Sequence, residues 1–168
     1  KSYGKSAGLK TNVVKKIIQD AQNTIWIATN AGLYFLKNDS IRLLENIKDN
    51  NSIFFNSVFI DSRQNIWAST SGKGIYKITR SGNNYSVKNY LSSDGLSGDY
   101  VFDICEDDKK RLWIASFGNG LDLFDASTST FKNIKQKDNL LNEVISLKMI
   151  KPGKLGFGTR SAGAYILN

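Results

Sequence analysis

The 168-residue chain has no histidine, one cysteine and one proline. Without an imidazole, Ser-His and Cys-His nucleophile pairs are excluded, and with them most metal sites. Cys105 has no second cysteine with which to close an internal disulfide and no companions for a metal site. It lies in the run Tyr100-Val101-Phe102-Asp103-Ile104-Cys105, which predicts a strand and a buried thiol. The lack of disulfides is compatible with the cytoplasm and with export alike. No continuous apolar run approaches the ~20 residues of a membrane span, and no signal-peptide pattern opens the chain. Walker and Rossmann phosphate loops are also missing, since Gly118-Asn119-Gly120 reads as an inter-strand turn. Nothing in the composition calls for a cofactor.

What is present describes a folded chain. The hydrophobic fraction is 40% and the aromatic fraction 11%, enough for one domain with a sizeable core. The net charge of +8 raises the question of an acidic partner. Most of that charge is lysine, with arginine at 42, 63, 80, 111 and 160. Scattered lysines suit a solvated β surface with protected edges. Nucleic-acid binding would instead want a basic stripe interleaved with exposed aromatics, and the aromatics here fall at core-type positions.

One phrase returns along the chain. Thr24-Ile25-Trp26-Ile27-Ala28-Thr29 precedes Gly32-Leu33-Tyr34, and Asn65-Ile66-Trp67-Ala68-Ser69-Thr70 precedes Gly74-Ile75-Tyr76. A third copy is Arg111-Leu112-Trp113-Ile114-Ala115-Ser116 with Gly120-Leu121. A worn fourth is Lys154-Leu155-Gly156-Phe157-Gly158-Thr159 with Gly163-Ala164-Tyr165, in which Phe157 is aligned with the tryptophans. A period of roughly 40–50 residues with one tryptophan per unit is the mark of a β-propeller blade.

Each unit has the same grammar. A β-branched and aromatic run comes first (Val13 to Ile18, Ser57 to Ile60, Tyr100 to Cys105, Val144 to Ile150). Six residues before each anchor stand Asp20, Asp61, Asp107 and, in the worn copy, Lys151. An aspartate there can accept from backbone amides two residues on and nucleate a hairpin. The anchor strand follows, then Gly32, Gly74, Gly120 or Gly163 at a tight reversal that calls for positive φ. Third strands (Leu33 to Leu36, Ile75 to Ile78, Leu121 to Phe124, Ala164 to Leu167) and fourth strands (Ser40 to Asn46, Tyr85 to Leu91, Thr130 to Ile134) complete the pattern. Eighteen residues before the anchors come Gly8, Asp49, Gly95 and Asn139, all suited to a left-handed turn. Leucine follows in three copies, as Leu9, Leu96 and Leu140.

The fold class is therefore all-β, with antiparallel four-stranded blades. The small residues Ala28, Ser69, Ala115 and Thr159 allow close approach while the indoles fill the space between blades. The chain reads as the end of one blade (1–9), three blades (10–48, 49–93, 94–138) and an incomplete one (139–168). That makes about three and a half blades, the expected fragment of a seven-bladed propeller. Closed propellers need roughly four to eight blades, so the open edges call for further blades of a longer chain or a second copy.

The pattern Asp-x-x-x-x-Ile-Trp-Ile-Ala-Thr-x-x-Gly-Leu, preceded by Gly-Leu-x-x-x-x-Val, resembles the two-component regulator propeller repeat. Gly95-Leu96, Val101, Asp107, Trp113-Ile114-Ala115-Ser116 and Gly120-Leu121 make the fullest match. The departures are Asp49-Asn50 in the second unit and Phe157 in the fourth. The resemblance implies the periplasmic sensor region of a hybrid two-component system, as in Bacteroides-type gut bacteria. There such regions sense oligosaccharides and switch on glycan-utilisation genes. The membrane anchor, histidine kinase and response regulator would belong to the parent chain. This segment would not be an enzyme.

Two readings of chemistry follow. The acidic run Glu106-Asp107-Asp108 offers paired carboxylates of the glycosidase kind, but it coincides with the hairpin turn of the other units. Binding fits better, since propellers gather ligand loops at one face. The loops after the anchor strands hold Asn30, Ser71 with Lys73, Phe117 with Asn119, and Arg160 with Ser161. They combine amides, hydroxyls and an aromatic face for a sugar, with Lys73 and Arg160 available to a sulfate or uronate. The alternative is a structural or protein-interaction propeller with no small ligand.

Overall fold

The computed structural model describes residues 2–134 and 140–167. Its strands form four antiparallel sheets that follow one another along the chain. The first holds β1 (Val14–Gln19), β2 (Ile25–Thr29), β3 (Gly32–Lys37) and β4 (Ser40–Leu43). The second holds β5 (Phe55–Ile60), β6 (Ile66–Thr70), β7 (Ile75–Ser81) and β8 (Asn84–Tyr90). The third holds β9 (Val101–Glu106), β10 (Leu112–Ser116), β11 (Gly120–Asp125) and β12 (Thr130–Ile134). The last holds β13 (Val144–Lys151), β14 (Lys154–Thr159) and β15 (Ala164–Leu167). The sheets are simple meanders in sequence order, stacked in propeller fashion with β1, β5, β9 and β13 side by side at the inner edge. Asn139, Lys1 and Asn168 lie outside the described residues, as does the boundary between the third and fourth expected units.

The anchor strands are buried because neighbouring sheets pack face to face, the second and third sheets each lying between two others. Trp26 is fully buried against Ile66, Ala68, Tyr76 and Ile78 of the second sheet, with Tyr85 edge-on at 5.1 Å. Trp67 meets Ile114 and Phe124 of the third sheet, the latter at 5.1 Å between ring centroids. Trp113 packs with Leu147, Leu155 and Met149 of the last. The small residues beside the tryptophans thus lie between sheets, not at the central axis.

The turn aspartates do more than start hairpins. Asp61 Oδ1 accepts from the amides of Arg63 and Asn65, and its Oδ2 accepts from Trp67 Nε1. Asp20 treats Gln22, Thr24 and Trp26 in the same way. Asp107 repeats it with Lys109, Arg111 and Trp113. Each carboxylate ties its hairpin to the indole six residues on.

The fourth unit differs from expectation by one residue. Thr29, Thr70, Ser116 and Thr159 are equivalent, because they pair with Val14, Phe55, Val101 and Val144. Three residues earlier stand Trp26, Trp67, Trp113 and Gly156. Phe157 therefore occupies the position of Ile27, Ala68 and Ile114 and packs toward the third sheet. Thr159 likewise belongs with Thr29 and Thr70, not with Ala28. The hairpin itself keeps its length, since the paired residues Val144 and Thr159 are as far apart in sequence as Val14 and Thr29. A register shift at Ile150, which stands where Asp20 does, lets Lys151 pair with Lys154 across Pro152-Gly153. Lys151 is thus a strand residue and not the counterpart of Asp20. The first unit hid the shift, since only two residues separate Thr29 from Gly32 against three between Thr159 and Gly163.

The left-handed positions are occupied as the residue types require. Gly74 has φ +63°, and a Cβ there would lie 2.0 Å from the Tyr90 carbonyl oxygen. Asp49 has φ +53° and leads into a short 3-10 turn, Asn50–Ser52. The following residue explains the missing leucine. Asn50 is buried, donates to the carbonyls of Leu33 and Leu44, and accepts from the Leu33 amide. It fills polar backbone valences where Leu9 and Leu96 fill apolar space. At the two ends of the stack, side chains are left uncovered: Ile17 on the first sheet is 62% exposed, and Ile150 and Ile166 on the last are 55% and 54%.

Candidate binding face

In a meander of four strands, the β2–β3 type loops emerge on the same side as the connections between sheets. Backbone bonds lock the two together in every unit. The amides of Asn30, Ser71, Phe117 and Arg160 donate to the carbonyls of Val13, Phe54, Tyr100 and Glu143 respectively. The four sequence-predicted loops therefore occupy equivalent places on one face.

Of the predicted residues, Phe117 and Arg160 come together. The Arg160 guanidinium lies 5.6 Å from the Phe117 ring centroid, a cation–π distance. Phe102 meets the same ring edge-on at 5.4 Å. Phe117, Gly118, Glu143, Arg160 and Ser161 line a cleft of about 590 Å³, within the range of small-ligand sites. The Ser161 hydroxyl donates to Glu143.

The others are held apart in their own loops. Asn119 serves its turn: Nδ2 donates to the Phe117 carbonyl at 3.1 Å, and its carbonyl accepts from Asn133. Lys73 is exposed, and its amide donates to Thr70 Oγ1. Asn30 Oδ1 is buried without a hydrogen-bond partner.

Sequence reasoning missed Phe102 and Glu143. Each first strand carries a bulge near its start, between Val14 and Lys16, Phe55 and Ser57, Val101 and Asp103, and Val144 and Ser146. Phe102 is the extra residue of its bulge, so period-two counting misassigns its face; a bulge re-aims the side chain in this way. Tyr100, read as a strand residue, is 59% exposed on the same face. The only available signal was that aromatics clustered before Asp103.

At the inner edge, polar residues join the sheets. Asp103 accepts from Lys16 Nζ at 3.2 Å, Ser57 Oγ at 2.7 Å and the Leu147 amide at 3.0 Å. One carboxylate therefore gathers donors from all the other sheets. The acidic run beside it is structural. Glu106 accepts from the amide and hydroxyl of Ser62, and Asp107 caps its hairpin. Burial raises the Asp107 carboxyl, but the Arg111 amide and guanidinium and the Trp113 indole outweigh it and hold the group below the usual aspartate range. Burial, reinforced by Asp103 and Asp107, pushes the Cys105 thiol up to about 12. No group of three or more His, Cys, Asp or Glu able to hold a metal occurs among the described residues.

Residues 8–31 and 95–118 match the two-component regulator propeller family. Those two stretches are similar to two-component regulator propeller repeats. Similar solved structures include the extracellular domains of two putative hybrid two-component systems from B. thetaiotaomicron. One aligns over 100% of this chain at 24% identity with a TM-score of 0.83, the other over 95% at 19% and 0.74. In each case the alignment spans 25% of that protein's chain. A third, YCF48 bound to D1 peptide, aligns over 94% of this chain and 52% of that one at 9% identity and a TM-score of 0.66. These likenesses establish the propeller fold. No curated protein matches the chain. None of the described helices is long and apolar enough to cross a membrane.

Proposed function

We propose that this segment is an extracytoplasmic ligand-sensing part of a hybrid two-component signalling protein, with an oligosaccharide as its ligand. The single observation that carries the ligand class is the Phe117–Arg160 cleft. It presents an aromatic ring edged by Phe102, a guanidinium beside it, and a carboxylate and hydroxyl at the rim. Aromatic faces stack on the apolar faces of sugar rings, while fork-shaped guanidinium groups suit carboxylates and sulfates. An anionic sugar such as a uronate fits that pair. The repeat family and the likeness to extracellular domains support the sensor reading and a periplasmic place on an inner-membrane-anchored parent. In that parent, ligand occupancy would be relayed to a histidine kinase controlling glycan-utilisation genes.

The test is calorimetric titration with a tri-uronate and with a neutral trisaccharide. Saturable uronate binding that weakens with salt, and that Phe117→Ala and Arg160→Gln each weaken about tenfold or more (~1.4 kcal/mol), is the expected result. Failure of both sugars to bind, or binding indifferent to both substitutions, overturns the assignment of this cleft. The uncovered apolar faces of the first and last sheets favour a second reading, a protein-interaction propeller. It predicts self-association without any sugar response.

A further inference from the structure

The opposite face of the stack, where the first and third hairpins of each sheet emerge, carries a different feature. Arg63 on the second sheet's first hairpin, and Lys109, Lys110, Arg111 and Lys132 on the third sheet, line one cleft of about 580 Å³. Its other walls are Leu123, Phe124, Asp125, Ala126, Ser127, Thr128 and Thr130.

The charges of that cleft do not cancel. Arg111 is neutralised by Asp107, at 2.7 Å from its Nη2. Among the described residues Asp125 is the one acidic residue in the lining; hydrogen bonds from the Ser127 hydroxyl and amide favour its ionised form, with Arg63 contributing. That leaves Lys109, Lys110 and Lys132 as exposed ammonium groups around one concavity. Like charges so gathered repel one another, and a bound multivalent anion relieves that repulsion. The rim also offers a hydrogen-bond donor. Thr128 Oγ1 and Thr130 Oγ1 lie 2.7 Å apart, so one hydroxyl hydrogen joins them and the other is left for a ligand. The apolar floor of Leu123, Phe124 and Ala126 accommodates a non-ionic scaffold. The volume suits a small molecule and not a protein surface.

We propose that this cleft is a binding site for a small ligand bearing two or more tetrahedral oxyanion esters, on the face opposite the Phe117–Arg160 cleft. Lys109, Lys110 and Lys132 supply the charge, Arg63 a bidentate contact from the adjoining sheet, and the Thr128–Thr130 pair a neutral donor. The site is independent of the sugar cleft, so either can fail without the other.

The probes are a trisulfated disaccharide and a hexose bisphosphate, titrated into the chain by calorimetry at low and at physiological salt. Lys109→Gln/Lys110→Gln/Lys132→Gln removes three of the site's charges without touching the core. Lys5→Gln/Lys37→Gln/Lys48→Gln removes equal charge from exposed positions elsewhere. The expected result is one-to-one binding of at least one probe, weakened about tenfold or more by the first triple and less than threefold by the second. The arm that binds names the ester as sulfate or phosphate. No saturable binding of either probe, or equal weakening by the two triples, overturns the proposal. Loss with Arg160→Gln and not with the first triple would overturn it too, by moving the anion to the other face.

Discussion

Trp67 Nε1 donates to Asp61 Oδ2 at 2.8 Å, six residues back and across a hairpin. The same carboxylate caps the turn through two backbone amides, so the packing of sheet on sheet and the closure of the hairpin share one group. Asp20–Trp26 and Asp107–Trp113 repeat the arrangement. The fourth unit has lost both members together. Gly156 stands at the tryptophan position, and Pro152-Gly153 makes the turn.

That coupling is measurable. Trp67→Phe keeps most of the apolar volume but removes the donor, and Asp61→Ala removes the acceptor. A double-mutant cycle should give a coupling of about 1.5–3 kcal/mol, the scale of a hydrogen bond to a charged group. Trp67→Ala, which also empties the inter-sheet space, should cost about 3–5 kcal/mol and far exceed any exposed lysine-to-alanine change. Additive effects in the cycle, or equal melting temperatures for Trp67→Ala and Lys37→Ala, would refute this account of the core.

Two glycines at different places in the repeat should respond very differently to alanine. Gly74→Ala drives a Cβ onto the Tyr90 carbonyl at 2.0 Å from a left-handed backbone, and should cost more than ~2 kcal/mol. At Gly156 the nearest atom is the Cδ1 of Ile150, the mobile end of a side chain that is 55% exposed. Gly156→Ala should therefore fall within about 0.5 kcal/mol of the parent. Chemical denaturation of the two variants checks the contrast.

Most of the architecture was legible because it repeats. Tryptophan, aspartate and glycine at three offsets each have a local physical reason, so three copies of a weak signal became a strong one. The fourth unit defeated the counting. A glycine at the tryptophan position with an aromatic beside it, and a loop one residue shorter in the first unit, let Phe157 pose as the anchor. The binding face was legible as a set of loops, because loop position follows from strand order. Which members meet was not, because Phe102 is aimed by a bulge and Glu143 arrives from the neighbouring connection. Asn50 shows the same limit: a buried amide bridging Leu33 and Leu44 has no period to betray it.

Acid should reveal the Asp107 cap. Its carboxyl is held below the ordinary aspartate value of ~3.9 in the folded chain, where the hydrogen bonds from Arg111 and Trp113 outweigh burial. A group depressed in this way stabilises the fold above the unfolded value, and that contribution is lost as pH falls through the folded value. The gap in melting temperature between the parent and Asp107→Asn should therefore be widest near neutrality and close below about pH 4. A gap that widened on acidification would reverse the assignment.

The Cys105 thiol offers a probe of local opening. With its pKa pushed to about 12 by burial and the neighbouring Asp103 and Asp107, almost none is thiolate at pH 8, and the thiolate is the reactive form. Alkylation at that pH should be slow in the folded chain and speed up in denaturant, in step with the loss of tryptophan burial. Rapid labelling under native conditions would mean that the third and fourth sheets separate readily.

The uncovered faces make the solution mass the most consequential measurement. Ile17 on the first sheet and Ile150 and Ile166 on the last are each more than half exposed. In the three interfaces within the chain, the corresponding faces are sealed by the next sheet. Apolar β faces left open in this way drive association. Light scattering across a concentration series should show mass rising above that of the 18.7 kDa monomer. Ile17→Lys and Ile166→Lys should each suppress the rise, since either charge spoils one half of a head-to-tail contact. A monomer at every concentration would show that the open arc is tolerated in water, and that the apolar ends make no contact between copies of this chain.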